Sequence, residues 1–145
     1  PSELYQCPTT RFVADFVGSM NFFTSRVLEA GADSFSLMIE GQTQIQRRGK
    51  IDAKPGQEVV FGIRPEQLRI SLLEPKDYEN GLFGQIVRQV FTGDSTVLRI
   101  RLENGVHIDV RVPNYLVMEN RVMALEPDEQ VWAIWSQGSG VVLHG

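Results

Sequence analysis

The alternation of apolar and polar side chains is the feature that most constrains this chain. From residue 21 onward the alternation has a period of two, and glycine, asparagine and proline interrupt it roughly every ten residues. This period places apolar side chains on one face of an extended strand, whereas a helix needs a spacing of three or four residues. The sequence therefore predicts a mainly β protein. Its ten short antiparallel strands are expected at residues 22–29, 34–40, 43–46, 58–63, 68–72, 83–91, 96–102, 106–112, 130–135 and 141–144.

The number and shortness of these strands favour a barrel. Ten short strands with a small helical segment suggest architectures of the oligonucleotide/oligosaccharide-binding (OB) type. Polar and turn-forming residues dominate residues 74–81. We therefore predict a first β half at residues 21–74 and a second at residues 81–145, which together form one domain.

Residues 1–20 are predicted to form a short helical lead-in. Ser2 can cap a first helix, a threonine after Pro8 can cap a second, and Gly18 ends it. The chain begins at Pro1 without a methionine, so we expect it to be a piece of a longer protein. The second helix carries an apolar stripe that must pack against something, made of Phe12, Val13, Phe16 and Val17.

The segment 96–112 predicts a hairpin whose register can be deduced. A two-residue turn would pair Glu103 with Val106 and set polar side chains opposite apolar ones. A three-residue loop at residues 103–105 instead pairs Leu102 with Val106 and keeps both faces consistent. We predict this loop, with Gly105 at positive φ. The register places two cross-strand pairs on the outer face, Arg99 with Asp109 and Arg101 with His107.

Composition excludes several function classes. A formal net charge of −4 and a pI near 5.2 argue against a generic nucleic-acid binder. One cysteine, Cys7, and two histidines, His107 and His144, allow neither an internal disulfide nor a Cys/His zinc cluster. No stretch approaches the ~20 apolar residues of a membrane span. A reducing, cytoplasmic compartment is expected.

No catalytic or cofactor-binding constellation is present in the sequence. A phosphate-binding loop would need a glycine where Gln44 stands and a hydroxyl side chain where Ile51 follows Lys50. We therefore expect no ATP binding by this chain. His107 and His144 are interpreted as surface residues rather than as catalytic bases. No catalytic, cofactor-binding or metal-binding residue is predicted.

Two charged clusters have a functional and a plain interpretation. The basic turn, comprising Arg47, Arg48, Gly49, Lys50 and Lys54, could contact an anionic partner, a phosphate or a lipid headgroup. A solvated loop is the favoured interpretation. An acidic cluster beside two tryptophans could hold an organic cation. The favoured interpretation is a charged loop that precedes a strand whose tryptophans lie in the core. The cluster comprises Glu119, Glu126, Asp128, Glu129, Trp132 and Trp135.

Three groups of residues together form a recognisable pattern. The strand exit at residues 62–66 joins a proline to flanking charges and contains Arg64, Pro65 and Glu66. An N-terminal group comprises Glu3-Leu4-Tyr5, Pro8, residues 12–18 and Asn21. A third comprises Gly93, residues 102–105, Pro113-Asn114, Trp135 and residues 141–143. The pattern resembles the transport-associated OB (TOBE) domain that follows the nucleotide-binding domain in ATPase subunits of bacterial ABC importers of maltose, polyamine and ferric-ion type.

The resemblance implies a cytoplasmic regulatory domain that pairs with its own copy across a two-fold axis. It implies further partners: a preceding nucleotide-binding domain, which would bind ATP and magnesium, and through it the permease subunits at the inner face of the cell membrane. The transported solute would be a polyamine, ferric ion or sugar. The hypothetical interface residues are Phe12, Phe16, Gly18, Asn21, Arg64, Pro65 and Glu66.

The alternative function is single-stranded nucleic-acid binding by an OB-type module. Over residues 81–112, however, four arginines against three acidic residues leave a net charge of only +1, which is too little for a phosphate groove. A salt-dependent gel shift with a labelled oligonucleotide would separate the two functions. The stacking and backbone contacts would come from Phe83, Phe91, Arg88, Arg99, Arg101 and Arg111.

Overall fold

The part of the chain that the structure describes folds into ten β-strands and one short 3-10 turn. The structure is a computed structural model that describes residues 20–39, 43–113 and 129–143. The mainly β, OB-like prediction is confirmed, and each predicted strand occurs; the predicted helical lead-in lies outside the described residues. The strands are β1 Asn21–Ala30, β2 Ser34–Ile39, β3 Thr43–Arg48, β4 Glu58–Ile63, β5 Arg69–Ser71, β6 Glu79–Thr92, β7 Ser95–Leu102, β8 His107–Pro113, β9 Gln130–Ser136 and β10 Val141–Leu143, with the 3-10 turn at Pro65–Gln67.

The first of two compact units comprises residues 1–64 and 136–145. Its five-stranded sheet has the order β10-β4-β1-β2-β3, with antiparallel neighbours. Alternate side chains of these strands are buried, as the period-two pattern requires. Phe23 stacks on Phe61 with ring centroids 6.5 Å apart. The core comprises Phe23, Val27, Phe35, Leu37, Ile39, Ile45, Val59, Phe61, Ile63 and Leu143.

The second unit comprises residues 65–135. Its sheet has the order β5-β9-β6-β7-β8, and β8 also lies against the 3-10 turn and β5, so that the sheet curls toward a barrel. Its core comprises Leu68, Leu82, Ile86, Leu98, Ile100, Leu102, Ile108, Val110, Val112, Val131, Ala133, Ile134 and Trp135.

The division between the units differs from the predicted one at residues 74–81. The chain passes from the first unit to the second between Arg64 and Pro65 and returns after Trp135. The reason is strand pairing: β5 pairs with β9 in the second sheet, whereas β10 pairs with β4 in the first, with Val141 opposite Gly62. Residues 74–78 therefore form a loop within the second unit, and β6 begins at Glu79.

Gly140 precedes β10 in a position that only glycine fits. Its φ is +96°, in the region that L side chains rarely adopt. A Cβ there would also lie within 3.0 Å of two ring carbons of Phe61, which is fully buried. The missing side chain therefore lets the backbone cross the face of the Phe61 ring.

Candidate functional site: an arginine-bearing sheet face

The β7–β8 hairpin has the predicted register. The backbone N–H of Leu102 donates to the carbonyl of Val106 at 2.9 Å, and Gly105 has a φ of +86°. Arg99 lies opposite Asp109 and Arg101 opposite His107. The three-residue loop is therefore confirmed, and it turns both pairs away from the core.

A β-bulge in β6 adds a third strand to this outer face. Ile86 pairs with Ile100, but Arg88 pairs with Arg99, so Val87 is an extra residue. A one-residue shift exchanges the two faces of a strand. The bulge therefore brings Arg88 beside Arg99 and turns Phe91 to the opposite face.

Four exposed arginines consequently share one face of β6, β7 and β8, which we call the arginine face. Val90 lies opposite Val97, which in turn lies opposite Arg111. Over residues 84–92 of β6, which pair with β7, and over β7 and β8, Asp109 is the acidic side chain on this face, so the face has an excess of positive charge. The arginine face comprises Arg88, Arg99, Arg101 and Arg111.

Neighbouring side chains hold two of these guanidinium groups in place. Arg99 donates from Nε to Oδ1 of Asp109 at 3.0 Å and from Nη2 to Oδ2 at 3.3 Å. This hydrogen bond, with the charge of the carboxylate, raises the pKa of Arg99 above its ordinary value. Arg101 donates from Nη2 to Oε1 of Gln85 at 3.1 Å. Both arginines are thus oriented before any partner arrives.

A shallow depression of about 210 Å³ lies on the arginine face. Its lining combines charged and apolar side chains, because the two valines are partly exposed and lie in the row next to Arg88, Arg99 and Asp109. It is lined by Arg88, Val90, Val97, Arg99 and Asp109. Such a surface can receive an anionic group that has an apolar neighbour.

The basic turn is partly structural rather than a solvated loop. Arg47 donates from Nε to the carbonyl of Gly140 at 3.1 Å. The backbone N–H of Arg48 donates to the carbonyl of Gln137 at 2.8 Å. Both contacts tie β3 to the segment before β10. Lys50 and Lys54 remain exposed, as the favoured interpretation predicts.

The predicted cluster of acids and tryptophans is only partly visible. Glu119, Glu126 and Asp128 lie outside the described residues, and Glu129 is half-buried. Trp135 is 2% exposed and belongs to the core, as predicted. Trp132 instead contacts Phe83 with ring centroids 5.1 Å apart.

Four of the hypothetical interface residues, Asn21, Arg64, Pro65 and Glu66, lie in the described part of the chain. Asn21 is buried at the start of β1, opposite Ile63, which precedes Arg64. Pro65 is buried and opens the 3-10 turn, whereas Glu66 is exposed. The remaining three, Phe12, Phe16 and Gly18, lie outside the described residues.

Three exposed apolar side chains between β5 and β6 were not foreseen from the sequence. Leu72, Leu73 and Tyr78 are 61%, 77% and 64% exposed. Ser71 fixes the turn, because its hydroxyl accepts from the N–H of Leu73 at 3.0 Å and donates to its carbonyl at 2.9 Å. The sequence signal that could have indicated them is the pair of consecutive leucines directly before the polar segment 74–81. We call these three residues the Leu-Tyr patch.

Within residues 20–39, 43–113 and 129–143, no group of three or more His, Cys, Asp or Glu side chains could hold a metal ion. His107 is exposed on β8, and His144 is outside the described residues. None of the described segments forms a helix long and apolar enough to cross a membrane.

Two family models match the chain. One described as the TOBE domain matches residues 61–143, and one described as the MalK OB fold domain matches residues 19–68. They overlap where the chain passes between the two units.

Curated relatives are similar over nearly the whole chain. The spermidine/putrescine import ATP-binding protein PotA of Nitrosospira multiformis is 31% identical over 145 residues, which cover 99% of this chain and 39% of that protein. PotA 2 of Pseudomonas aeruginosa is 29% identical over 141 residues, covering 97% of this chain and 38% of that protein. The chain thus spans about two fifths of the length of these relatives.

A solved structure has a similar fold. The cytoplasmic molybdate-binding protein ModG, in a form with molybdate bound, superposes with a TM-score of 0.74 over 86% of this chain and 96% of that chain. The sequence identity is 15%, so the likeness concerns the fold alone.

Proposed function

This chain belongs to the TOBE domain family, and from that premise we propose that it is a non-catalytic regulatory domain of the ATP-binding subunit of a bacterial ABC importer. The main support is the TOBE match over residues 61–143, which includes the whole second unit. Relatives named as import ATP-binding proteins match over nearly the entire chain. OB-like units serve widely as scaffolds for interaction, which suits a domain that acts by contact.

We propose a polyamine as the transported solute, because both relatives are named for spermidine and putrescine import. The solute would not bind the arginine face, since both carry positive charge. ATP and magnesium would bind a nucleotide-binding domain elsewhere in the longer protein. That nucleotide-binding domain would contact the permease subunits at the inner face of the cell membrane.

The reading frame upstream of Pro1 tests this assignment. A nucleotide-binding domain with a phosphate-binding loop is expected there. A frame that encodes another kind of domain, or none, would contradict the proposal. The full-length subunit should then support uptake of radiolabelled spermidine in cells that lack their own polyamine importer. Uptake of another solute in place of spermidine would leave the importer assignment standing and overturn the polyamine.

We propose that this regulatory domain forms a homodimer. The Leu-Tyr patch suits the interface of such a dimer. In an isologous dimer each surface meets its own copy. The arginine face would then meet a second arginine face and repel it, whereas the Leu-Tyr patch would remove apolar area from water. We therefore propose the Leu-Tyr patch, in addition to the exposed Glu66, as part of the dimer interface.

Light scattering at tens of micromolar tests the dimer. The chain is expected to have the mass of a dimer, and Leu73→Asp is expected to shift it toward the monomer. Val90→Asp is the matched control, because it places the same charge at an exposed apolar residue on the arginine face. A monomeric wild type would contradict the dimer, and a dimer equally affected by both substitutions would contradict the Leu-Tyr patch.

A further inference from the structure

The arginine face carries more net positive charge than residues 81–112 do as a whole. Over residues 81–112 the net charge is only +1, but two of the three acidic residues, Asp94 and Glu103, lie in the turns that flank β7. Asp109 is the acid that faces the arginines. Folding therefore concentrates positive charge on one side of a chain whose overall charge is −4.

This concentration depends on the bulge at Val87. Without the extra residue Arg88 would face the opposite side of β6, and Val87, Gln89 and Phe91 would take the outer positions. Because of the bulge, Arg88 and Val90 take the outer positions at this end of β6 instead of three uncharged side chains. Bulges that re-aim side chains are common beside functional sites.

The chemistry of the face indicates which anion it suits. Arg88 and Arg111 make no ion pair with a described residue, while Asp109 and Gln85 hold Arg99 and Arg101. Planar guanidinium groups match carboxylates in bidentate geometry. Because Val90 and Val97 lie in the row next to Arg88 and Arg99, a segment that carries both carboxylates and aliphatic side chains on one side would complement the face.

Nucleic acid complements the face less well. Single-strand binders stack bases on aromatic rings along a positive groove. Here Phe91 is turned to the opposite face, and valines rather than aromatic rings line the depression among the arginines.

From these observations we propose that the arginine face docks an acidic segment of another protein, in which aliphatic residues are interspersed among Asp or Glu residues. The guanidinium groups pair with the carboxylates, and Val90 and Val97 receive an aliphatic side chain between them. This docking does not depend on the importer assignment or on a homodimer.

Fluorescence anisotropy with a labelled synthetic peptide that repeats the sequence Glu-Glu-Val-Val, and so carries both residue types on each side when extended, tests the docking. The 145-residue chain is expected to bind it, and the affinity should fall as salt rises because exposed charges are screened. The variant Arg88→Glu/Arg111→Glu is expected to weaken binding at least tenfold. The matched control Lys50→Glu/Lys54→Glu makes the same charge change in the other unit and is expected to weaken it less than twofold.

A second pair of probes separates the chemistries. A peptide with Gln in place of Glu should not bind, and a single-stranded oligonucleotide should bind more weakly than the acidic peptide. The proposal is overturned if the acidic peptide fails to bind at millimolar concentration, or if both double variants weaken it equally. Tighter binding of the oligonucleotide, lost in Arg88→Glu/Arg111→Glu, would assign the face to nucleic acid and equally overturn the proposal.

Discussion

Gly140→Ala should be among the most destabilising single substitutions in the first unit. Two costs arise at one position. The φ of +96° is unfavourable for alanine, and the added Cβ lies within 3.0 Å of two ring carbons of Phe61. That ring cannot move freely, because it is fully buried and stacks on Phe23.

The magnitude follows from adding the two costs. Left-handed backbone costs an L residue about 1–2 kcal/mol. Overpacking a well-filled core typically costs about 1–3 kcal/mol. Gly140→Ala should therefore lower the free energy of unfolding by about 2–5 kcal/mol. Gly56→Ala is the matched control in the same unit: its φ is +89°, but no atom lies within 4 Å of its added Cβ, so only the first cost applies.

Urea unfolding followed by circular dichroism measures both losses, provided that the m-value is unchanged. Phe61→Leu removes the ring carbons that the new Cβ would strike. In that background Gly140→Ala should cost only about 1–2 kcal/mol, and the coupling between the two sites should be measurable. Equal losses for Gly140→Ala and Gly56→Ala, or no coupling to Phe61, would refute the steric reasoning.

Three further predictions concern electrostatics. A double-mutant cycle between Arg99 and Asp109, measured by urea unfolding, should give a coupling of about 0.2–1 kcal/mol that falls with added salt, because the pair is largely exposed. A coupling above about 2 kcal/mol would contradict this expectation. The backbone N–H of Lys76, and then Arg69, hold the pKa of Glu79 below its ordinary value. The stability that this carboxylate contributes is therefore complete above its unfolded-state pKa and is lost as pH falls through its folded-state pKa. Glu79→Gln should therefore flatten acid unfolding curves below about pH 4, and unchanged curves would count against this role. Calorimetry of the chain with ATP and magnesium at micromolar concentration should show no saturable heat, and a binding isotherm would overturn the motif argument.

The sequence predicted the strands and one register because these depend on local patterns. Alternation fixes which side chains face inward, and turn residues mark where strands end. The β7–β8 register followed because only one loop length keeps Leu102 opposite Val106. Gly105 then had to take the positive φ that is observed.

Long-range pairing could not be predicted in this way. β10 could pair with several open strand edges, and its three residues carry no signal that selects β4. For that reason the sequence did not indicate that the chain returns to the first unit after Trp135. Likewise, Arg47 was assigned to a basic loop, because the carbonyl of Gly140 that it contacts lies 93 residues away.

The arginine face lies between these cases. All four arginines were candidates from the sequence, but as contacts for nucleic acid together with Phe91. Which of them share a face depends on the bulge at Val87, and a bulge changes the register without any required residue type. Strand pairing in three dimensions was needed to separate Phe91 from the arginines.

The pairing of β10 with β4 also sets an order of assembly during synthesis. Residues 65–135 leave the ribosome as one continuous stretch and contain every strand of their sheet except the last residue of β9. The first unit emerges earlier but must wait for Val141–Leu143 to complete its edge. Until then β4 presents unpaired N–H and carbonyl groups, which favour pairing between nascent chains. The unit encoded first is therefore the one finished last.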